Sequence, residues 1–137
     1  MKLLRKLTLR GNQLGEAGCS ALSSALVNLT SLTSLDVSKN MIGTVGGSAI
    51  GGSISGHTCL CKLMLGHNAL GAKGMYAIAA SMTCLTNLEV LGLSSNALGG
   101  EGGRAAARGI STLVKLRFLE LDGNGLGHEV RSVTFRV

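Results

Sequence analysis

The feature that most constrains this chain is a pattern of leucine, asparagine and glycine that recurs every 28 residues. The pattern LxxLxLxxNxLGxxG occurs five times without an insertion, beginning near Leu4, Leu32, Leu60, Leu88 and Leu116. The last copy is incomplete, because Val130 stands where its second glycine is due. Self-similarity at a fixed period of this length predicts a repeat architecture in which each unit packs only against its neighbours.

Each unit contains two different hydrophobic periods. The LxL segment alternates with period two, which predicts a short strand. Later apolar positions are spaced by three, four and seven residues, which predicts one face of a helix. One of these helical columns holds Leu22, Ile50, Ile78 and Ala106. Each unit is therefore predicted to be a strand, a tight turn and a helix that returns antiparallel to the strand.

No single unit can bury its own leucines, so stacked units must share one core, with a parallel sheet on one side and helices on the other. Helices are wider than strands, so the stack should curve with the sheet on the concave side and the helices on the convex side. The predicted fold is an α/β solenoid of horseshoe shape, a single domain over residues 1–137.

The recurring asparagines and glycines have a structural interpretation. The asparagine column stands where the chain leaves each strand, and its side chains can pair with backbone groups that the turn would leave buried. Its members are Asn12, Asn40, Asn68, Asn96 and Asn124. The glycine-rich segments 99–103 and 123–127 resemble phosphate loops only superficially. They lack the Lys-Ser/Thr ending of a P-loop and follow the repeat register.

Two segments fit the pattern less well. The second helix is predicted to be weak, since each of its glycines costs up to about 1 kcal/mol relative to alanine. These are Gly46, Gly47, Gly51, Gly52 and Gly56. Near the C-terminus, Val133 and Val137 fall on helical core columns, but with Phe135 they also alternate as in a strand. A truncated helix is favoured for residues 128–137 over a strand.

Composition narrows the remaining possibilities. The four cysteines, Cys19, Cys59, Cys61 and Cys84, form no CxxC pair and have no histidine at zinc-finger spacing. Reduced thiols in a cytoplasmic protein are the simplest interpretation. The N-terminus carries charges throughout and is not a signal peptide. No apolar run approaches the roughly 18 residues of a membrane span. We therefore expect no membrane association, bound metal or cofactor.

Catalytic chemistry is not indicated. His57, His67 and His128 lie on different repeats, and no Ser-His-Asp or Cys-His set shares a face. His57 stands in a column otherwise filled by core leucines, so we expect it to be a partly buried packing residue rather than a base. The chain is predicted not to be an enzyme, and no catalytic residue is assigned.

The 28-residue motif, followed by a helix that carries Ala-Leu, resembles the ribonuclease-inhibitor-like class of leucine-rich repeats. The resemblance covers residues 4 to about 127. It implies an α/β horseshoe and, in most members, protein binding. The class also includes the sensing domains of NOD-like receptors and the Ran GTPase activator. That activator uses an asparagine and an arginine in loops after strands. Arg10, Lys39 and His67 lie near such positions but match no local motif, so that role is not carried over.

The residues between the strand leucines should point outward from the concave sheet. The candidate partner-binding residues are Lys6, Thr8, Arg10, Asp36, Lys62, Met64, Phe118, Glu120 and Asp122. Their charge runs from basic at the N-terminal end to acidic at the C-terminal end. Two interpretations remain open. A partner of opposite polarity lies along this face, or these are solvated residues and the binding site is elsewhere.

The predicted function is a non-catalytic scaffold that binds a protein of unknown identity. Regulation of a small GTPase is the alternative. Nucleic-acid binding is favoured by a net charge of +6 and disfavoured by the lack of stacking aromatics. Repeat arrays need caps with a polar outer side, and none precedes the first strand. We expect one side of the first repeat to face solvent, at Leu4, Leu7, Leu9, Leu22, Leu26 and Leu29. The chain is then a segment of a longer array, or associates end to end.

Overall fold

The computed structural model describes residues 3–126, in which five short strands alternate with four helices. The strands are β1 (Lys6–Thr8), β2 (Ser34–Asp36), β3 (Lys62–Met64), β4 (Val90–Gly92) and β5 (Phe118–Glu120). The helices are α1 (Gly15–Leu26), α2 (Gly43–Ser53), α3 (Gly71–Met82) and α4 (Gly99–Ile110). The predicted C-terminal helix and His128 lie outside the described residues.

The strands form one parallel sheet in the order β1-β2-β3-β4-β5. Each strand pairs with the next one repeat further on, so that Leu7 lies opposite Leu35 and Leu35 opposite Leu63. Each helix packs against the helix of the adjoining repeat. A helix is about 10 Å wide, whereas neighbouring strands are about 4.8 Å apart, so the sheet takes the inner side of the stack. The predicted α/β solenoid is confirmed.

The core is a single cluster between the sheet and the helices. The central leucine of each inner strand is buried, as are Ile50 and Ile78 on the helices. Leu7, Leu9 and Leu22 in the first repeat are only partly buried, as expected at an open end. The same expectation is wrong for Leu26 and Leu29, which are 0% and 7% exposed. The ring of His57, from the second repeat, packs beside their carbonyl groups.

The asparagines form a ladder that joins consecutive repeats. The Oδ1 atom of Asn68 accepts a hydrogen bond from the backbone N–H of Asn40 at 2.8 Å. Its Nδ2 group donates to the carbonyls of Val37 and Leu65, each at 3.0 Å. Asn96 makes the same three kinds of bond one repeat further on, and Asn124 makes them two repeats further on. Each side chain therefore satisfies backbone groups of two repeats at once.

The glycines of α2 allow it to pack closely on α3. A Cβ atom at Gly51 would lie 2.6 Å from the backbone carbonyl carbon of Ala77, and one at Gly47 would lie 3.2 Å from Gly74 Cα. The helix nevertheless runs for 11 residues. The intrinsic cost of these glycines is therefore offset by contact between helix backbones. Gly52 faces open space and has no such role.

Candidate functional site

The concave face is the side of the sheet that points away from the helices, and strand pairing arranges its side chains in three rows. The first row contains Lys6, Ser34, Lys62, Val90 and Phe118. The second contains Thr8, Asp36, Met64, Gly92 and Glu120. The third follows the strands at the same 28-residue spacing and contains Arg10, Ser38, Gly66, Ser94 and Asp122. All nine candidate partner-binding residues lie in these rows.

The third row is open only at its ends. Arg10 and Asp122 are exposed, whereas Gly66 is buried and Ser38 and Ser94 are 2% and 8% exposed. The sequence pattern predicts that residues beside the strand leucines point outward, and for the three middle residues this prediction is wrong. Ser38 and Ser94 hydrogen-bond to concave side chains, and a Cβ at Gly66 would lie 3.5 Å from the Ser94 carbonyl oxygen. The accessible part of the concave face is therefore narrower than the sequence pattern predicts.

A short network orders the basic end of the concave face. An Nη1 atom of Arg10 donates to Ser38 Oγ at 3.2 Å, and this hydroxyl donates to Asp36 Oδ1 at 2.5 Å. The backbone N–H of Ser38 also donates to the same oxygen, at 3.0 Å. Lys6 and Lys62 are exposed and make no side-chain hydrogen bond within residues 3–126. Their ammonium groups are available to a partner.

An apolar patch runs from the third to the fifth strand of the concave face, and the fifth strand is also acidic. Phe118 is 39% exposed and pairs with Val90 across the β4–β5 ladder. Met64 lies over Gly92, where an added Cβ would come within 2.9 Å of its sulfur. We call Met64, Val90 and Phe118 the apolar patch. Glu120 lies on the same strand as Phe118, and its Oε2 accepts a hydrogen bond from Ser94 Oγ at 3.3 Å.

Two buried groups lie on the helical side. His57 is wholly buried, deeper than its sequence position indicates, and neither ring nitrogen has a hydrogen-bond partner of good geometry. Burial lowers the pKa of His57, and nearby backbone carbonyls only partly oppose this shift. Burial also raises the pKa of the Cys19 thiol to about 11, against a weaker opposing effect from Ser23. His57 is therefore a neutral imidazole and Cys19 a protonated thiol, and both side chains contribute to the packing of the core.

Other chemistry-bearing residues do not converge. Lys39 and His67 are exposed in the turns after β2 and β3, each with φ of +57°. All four cysteines are free thiols. Residues 3–126 contain no group of three side chains arranged to hold a metal ion. No helix in this same part of the chain has the length and apolar character needed to cross a bilayer.

The N-terminal edge of the array is a second unusual surface. We define it by Leu4, Leu7, Leu9, Leu22 and Asn12, which lie on the open side of the first repeat. Leu4 is 36% exposed. Asn12 Nδ2 donates to the Leu9 carbonyl, as the other asparagines do within their own repeats. In later repeats the asparagine Oδ1 accepts from a backbone N–H of the preceding repeat, whereas no group within residues 3–126 donates to Asn12 Oδ1.

The repeat geometry agrees with a comparison against known families. The family model described as Leucine Rich repeat matches residues 1–23, 28–51, 56–79 and 84–105. The chain is a leucine-rich repeat protein. The match fits the ribonuclease-inhibitor-like class that the motif resembles. No curated protein sequence matches the chain significantly.

A solved structure supports the same architecture. The structure of "Leiomodin-1 Actin-Binding Site 2 (ABS2)" matches with a TM-score of 0.70 and 16% sequence identity. The alignment covers 83% of this leucine-rich repeat chain and 68% of the other. Identity this low establishes the shared fold alone. The leucine-rich repeat family match supports a protein-interaction module as the general class of this chain.

Proposed function

We propose that this leucine-rich repeat chain is a non-catalytic cytoplasmic scaffold that binds a protein along its concave face. The observation that carries the proposal is the apolar patch, which runs from β3 to β5 on a face that is basic at its first strand and acidic at its last. Phe118 supplies an accessible aromatic ring, and aromatic side chains and arginine are enriched at the cores of interfaces. Arg10 supplies a guanidinium whose position is ordered by Ser38.

The arrangement of charge defines the chemistry of the partner. Lys6 and Arg10 lie on and just after the first strand and Lys62 lies on the middle strand, whereas Glu120 and Asp122 lie on and just after the last. A complementary segment carries acidic groups at one end and apolar and basic groups toward the other. Such complementarity fixes orientation and raises the association rate more than it raises affinity. Association should therefore slow with added salt, because screening shortens the range of charge attraction.

The experiment is affinity capture with the wild-type chain and matched variants, followed by binding measurements on the protein recovered. Arg10→Glu and Phe118→Ala alter the concave face. Lys115→Glu makes the same change of charge in the exposed loop between α4 and β5 and serves as the control. We expect the two concave variants to lose the protein and the control to retain it. Retention by both concave variants, or loss with Lys115→Glu alone, would place the binding site elsewhere.

Purified actin is a defined additional probe, because the leiomodin structure that shares this fold is described as an actin-binding site. Binding of actin that Arg10→Glu abolishes would identify the partner. Regulation of a small GTPase stays a prediction, with stimulated GTP hydrolysis as its readout.

The N-terminal edge also has a proposed role in assembly. Its half-buried leucines and the open position at Asn12 Oδ1 match the surface that each later repeat covers with its neighbour. We propose that another leucine-rich repeat stacks there, from a longer array or a second copy. Sedimentation of the isolated chain tests the second copy, and Leu7→Lys should abolish any concentration-dependent association.

A further inference from the structure

We propose that the groove between α3 and α4, on the convex side, binds an acidic peptide through one apolar anchor side chain. This surface lies on the opposite side of the molecule from the concave face. The groove encloses about 260 Å³. It is lined by Tyr76, Ala79 and Ala80 of α3 with Thr83 just after that helix, and by Ala105, Arg108 and Gly109 of α4 with Thr112 just beyond its end. We call it the α3/α4 groove.

The shape of the groove follows from the small residues in its floor. A Cβ atom added at Gly109 would lie 3.0 Å from Ala79 Cα, so the two helices are in close contact there. The larger side chains of Tyr76 and Arg108 belong to the same lining. Tyr76 is 47% exposed although it is a large apolar ring. The result is a trough with an apolar floor, wide enough for one leucine-sized or larger side chain.

The repeat symmetry supplies an internal comparison. The α1/α2 groove lies two repeats earlier and is lined by equivalent positions, including Ser20, Ser23 and Gly52. These correspond by register to Tyr76, Ala79 and Arg108. The α1/α2 groove therefore has hydroxyl groups in place of the aromatic and apolar wall, and no cation at its rim. The difference is local to the third and fourth repeats and is not required by the fold.

Charge complementarity identifies the occupant as acidic. Helices α3 and α4 carry Lys73, Arg104 and Arg108 against the single acidic residue Glu101. Glu101 pairs with Arg104 at 3.4 Å, so Lys73 and Arg108 have no acidic partner on these two helices. Arg108 makes no side-chain hydrogen bond within the described part of the chain, and a guanidinium binds a carboxylate through two parallel bonds. A carboxylate next to the anchor residue of the peptide would therefore bind Arg108 at the rim of the α3/α4 groove.

The test uses synthetic octapeptides and the full chain labelled with ¹⁵N. The probe peptide has acidic residues around one central leucine. One control peptide replaces the leucine with alanine, and the other replaces the acidic residues with lysines. We expect the probe to shift amide signals of the α3/α4 groove and the two control peptides to leave them unchanged. Equal binding of either control peptide would overturn the proposal, as would shifts confined to other surfaces.

Variants assign the binding to particular side chains. Tyr76→Ala and Arg108→Glu should each weaken probe binding by roughly tenfold or more, as expected for anchors of an interface. The register-matched controls Ser20→Ala and Gly52→Glu should change it by no more than about twofold. Both groove residues are solvent-accessible, so their variants should keep the wild-type unfolding midpoint. Unchanged binding in both groove variants would overturn the proposal. So would self-association, without added peptide, that Tyr76→Ala removes, because the groove would then belong to a second copy.

Discussion

The backbone N–H of Asn40 donates to the side-chain Oδ1 of Asn68 at 2.8 Å, and this bond crosses from one repeat to the next. Replacing Asn68 with alanine leaves that N–H without its acceptor, whereas the carbonyls of Val37 and Leu65 keep bonds from the Nδ2 groups of Asn40 and Asn96. A buried group without a partner costs about 1–3 kcal/mol. We therefore expect Asn68→Ala to lower the free energy of unfolding by about 1–3 kcal/mol, measured by denaturant titration.

The matched control for this prediction is Asn12→Ala. Asn12 is exposed, and its side chain donates only within its own repeat. Water can replace these bonds, so the expected loss is below about 1 kcal/mol. Equal losses at the two positions would show that the asparagines act within each repeat and do not join neighbours.

His57 places a polar ring in a column otherwise occupied by leucine, and neither ring nitrogen has a hydrogen-bond partner. His57→Leu restores the apolar side chain and removes the desolvation cost of the ring. We expect the variant to be more stable than wild type by roughly 1–2 kcal/mol at pH 7. A destabilised variant would mean that the imidazole makes a favourable interaction that leucine cannot replace.

The same histidine makes stability depend on pH. Burial lowers the pKa of His57 below its ordinary 6.5, so the unfolded chain takes up a proton first as the pH falls. The contribution of neutral His57 is fully present above pH 6.5 and declines below it. Unfolding midpoints between pH 7.5 and pH 5 should therefore fall more steeply for wild type than for His57→Leu. Parallel curves would contradict this assignment.

Neighbouring glycines in α2 should respond in opposite directions to alanine. A Cβ at Gly51 meets the backbone of Ala77, which cannot move aside, so we expect Gly51→Ala to destabilise by roughly 1–3 kcal/mol. Gly52 lies in the helix with open space around it, so Gly52→Ala should stabilise by about 0.5–1 kcal/mol. Thermal unfolding of the two single variants checks both signs. If both stabilise, the close contact between α2 and α3 is not present in solution.

The cysteines should differ in reactivity. The thiolate is the nucleophile, and Cys19 has its pKa raised to about 11 by burial, while Cys59 is exposed. In the folded protein at pH 8, a thiol reagent should label Cys59 within minutes and leave Cys19 unmodified. Cys19 should react once denaturant is added. Peptide mass spectrometry measures the labelling of each cysteine, and rapid labelling of Cys19 would contradict its burial.

Much of the fold could be predicted because each repeat encodes the same local pattern. Leucines such as Leu35 and Leu63 alternate with polar residues, and this alternation alone assigns one set to the core and the other to the concave face. The hydrogen bonds of the asparagine ladder could also be predicted, because a column of polar side chains beside a buried turn needs backbone groups as partners.

Other features depend on how repeats meet and could not be predicted from one repeat alone. Ser38 is buried, and it accepts a hydrogen bond from Arg10, which lies 28 residues earlier in the preceding repeat. The left-handed backbone at Lys39 and Ala69 was also missed. The sequence does indicate this conformation, because the equivalent positions in the fifth repeat are Gly123 and Gly125, and glycine favours positive φ. For the α3/α4 groove, the signal was a lone Tyr76 in a column that holds serine in the first two repeats.

Binding of a protein along the concave face can be followed directly at Met64. Met64 lies on the concave face, Met41 is exposed in a turn, and Met75 and Met82 are buried in the core. Labelling the methionine methyl groups with ¹³C therefore gives one reporter signal and internal references, with Met64→Leu to assign the reporter.

The decisive measurement is the methyl spectrum of the labelled chain during titration with the protein recovered by affinity capture. We predict that the Met64 signal shifts or broadens to saturation while Met75 and Met82 stay in place, and that Phe118→Ala weakens the effect. A saturated complex in which the Met64 signal is unchanged would contradict binding along the concave face.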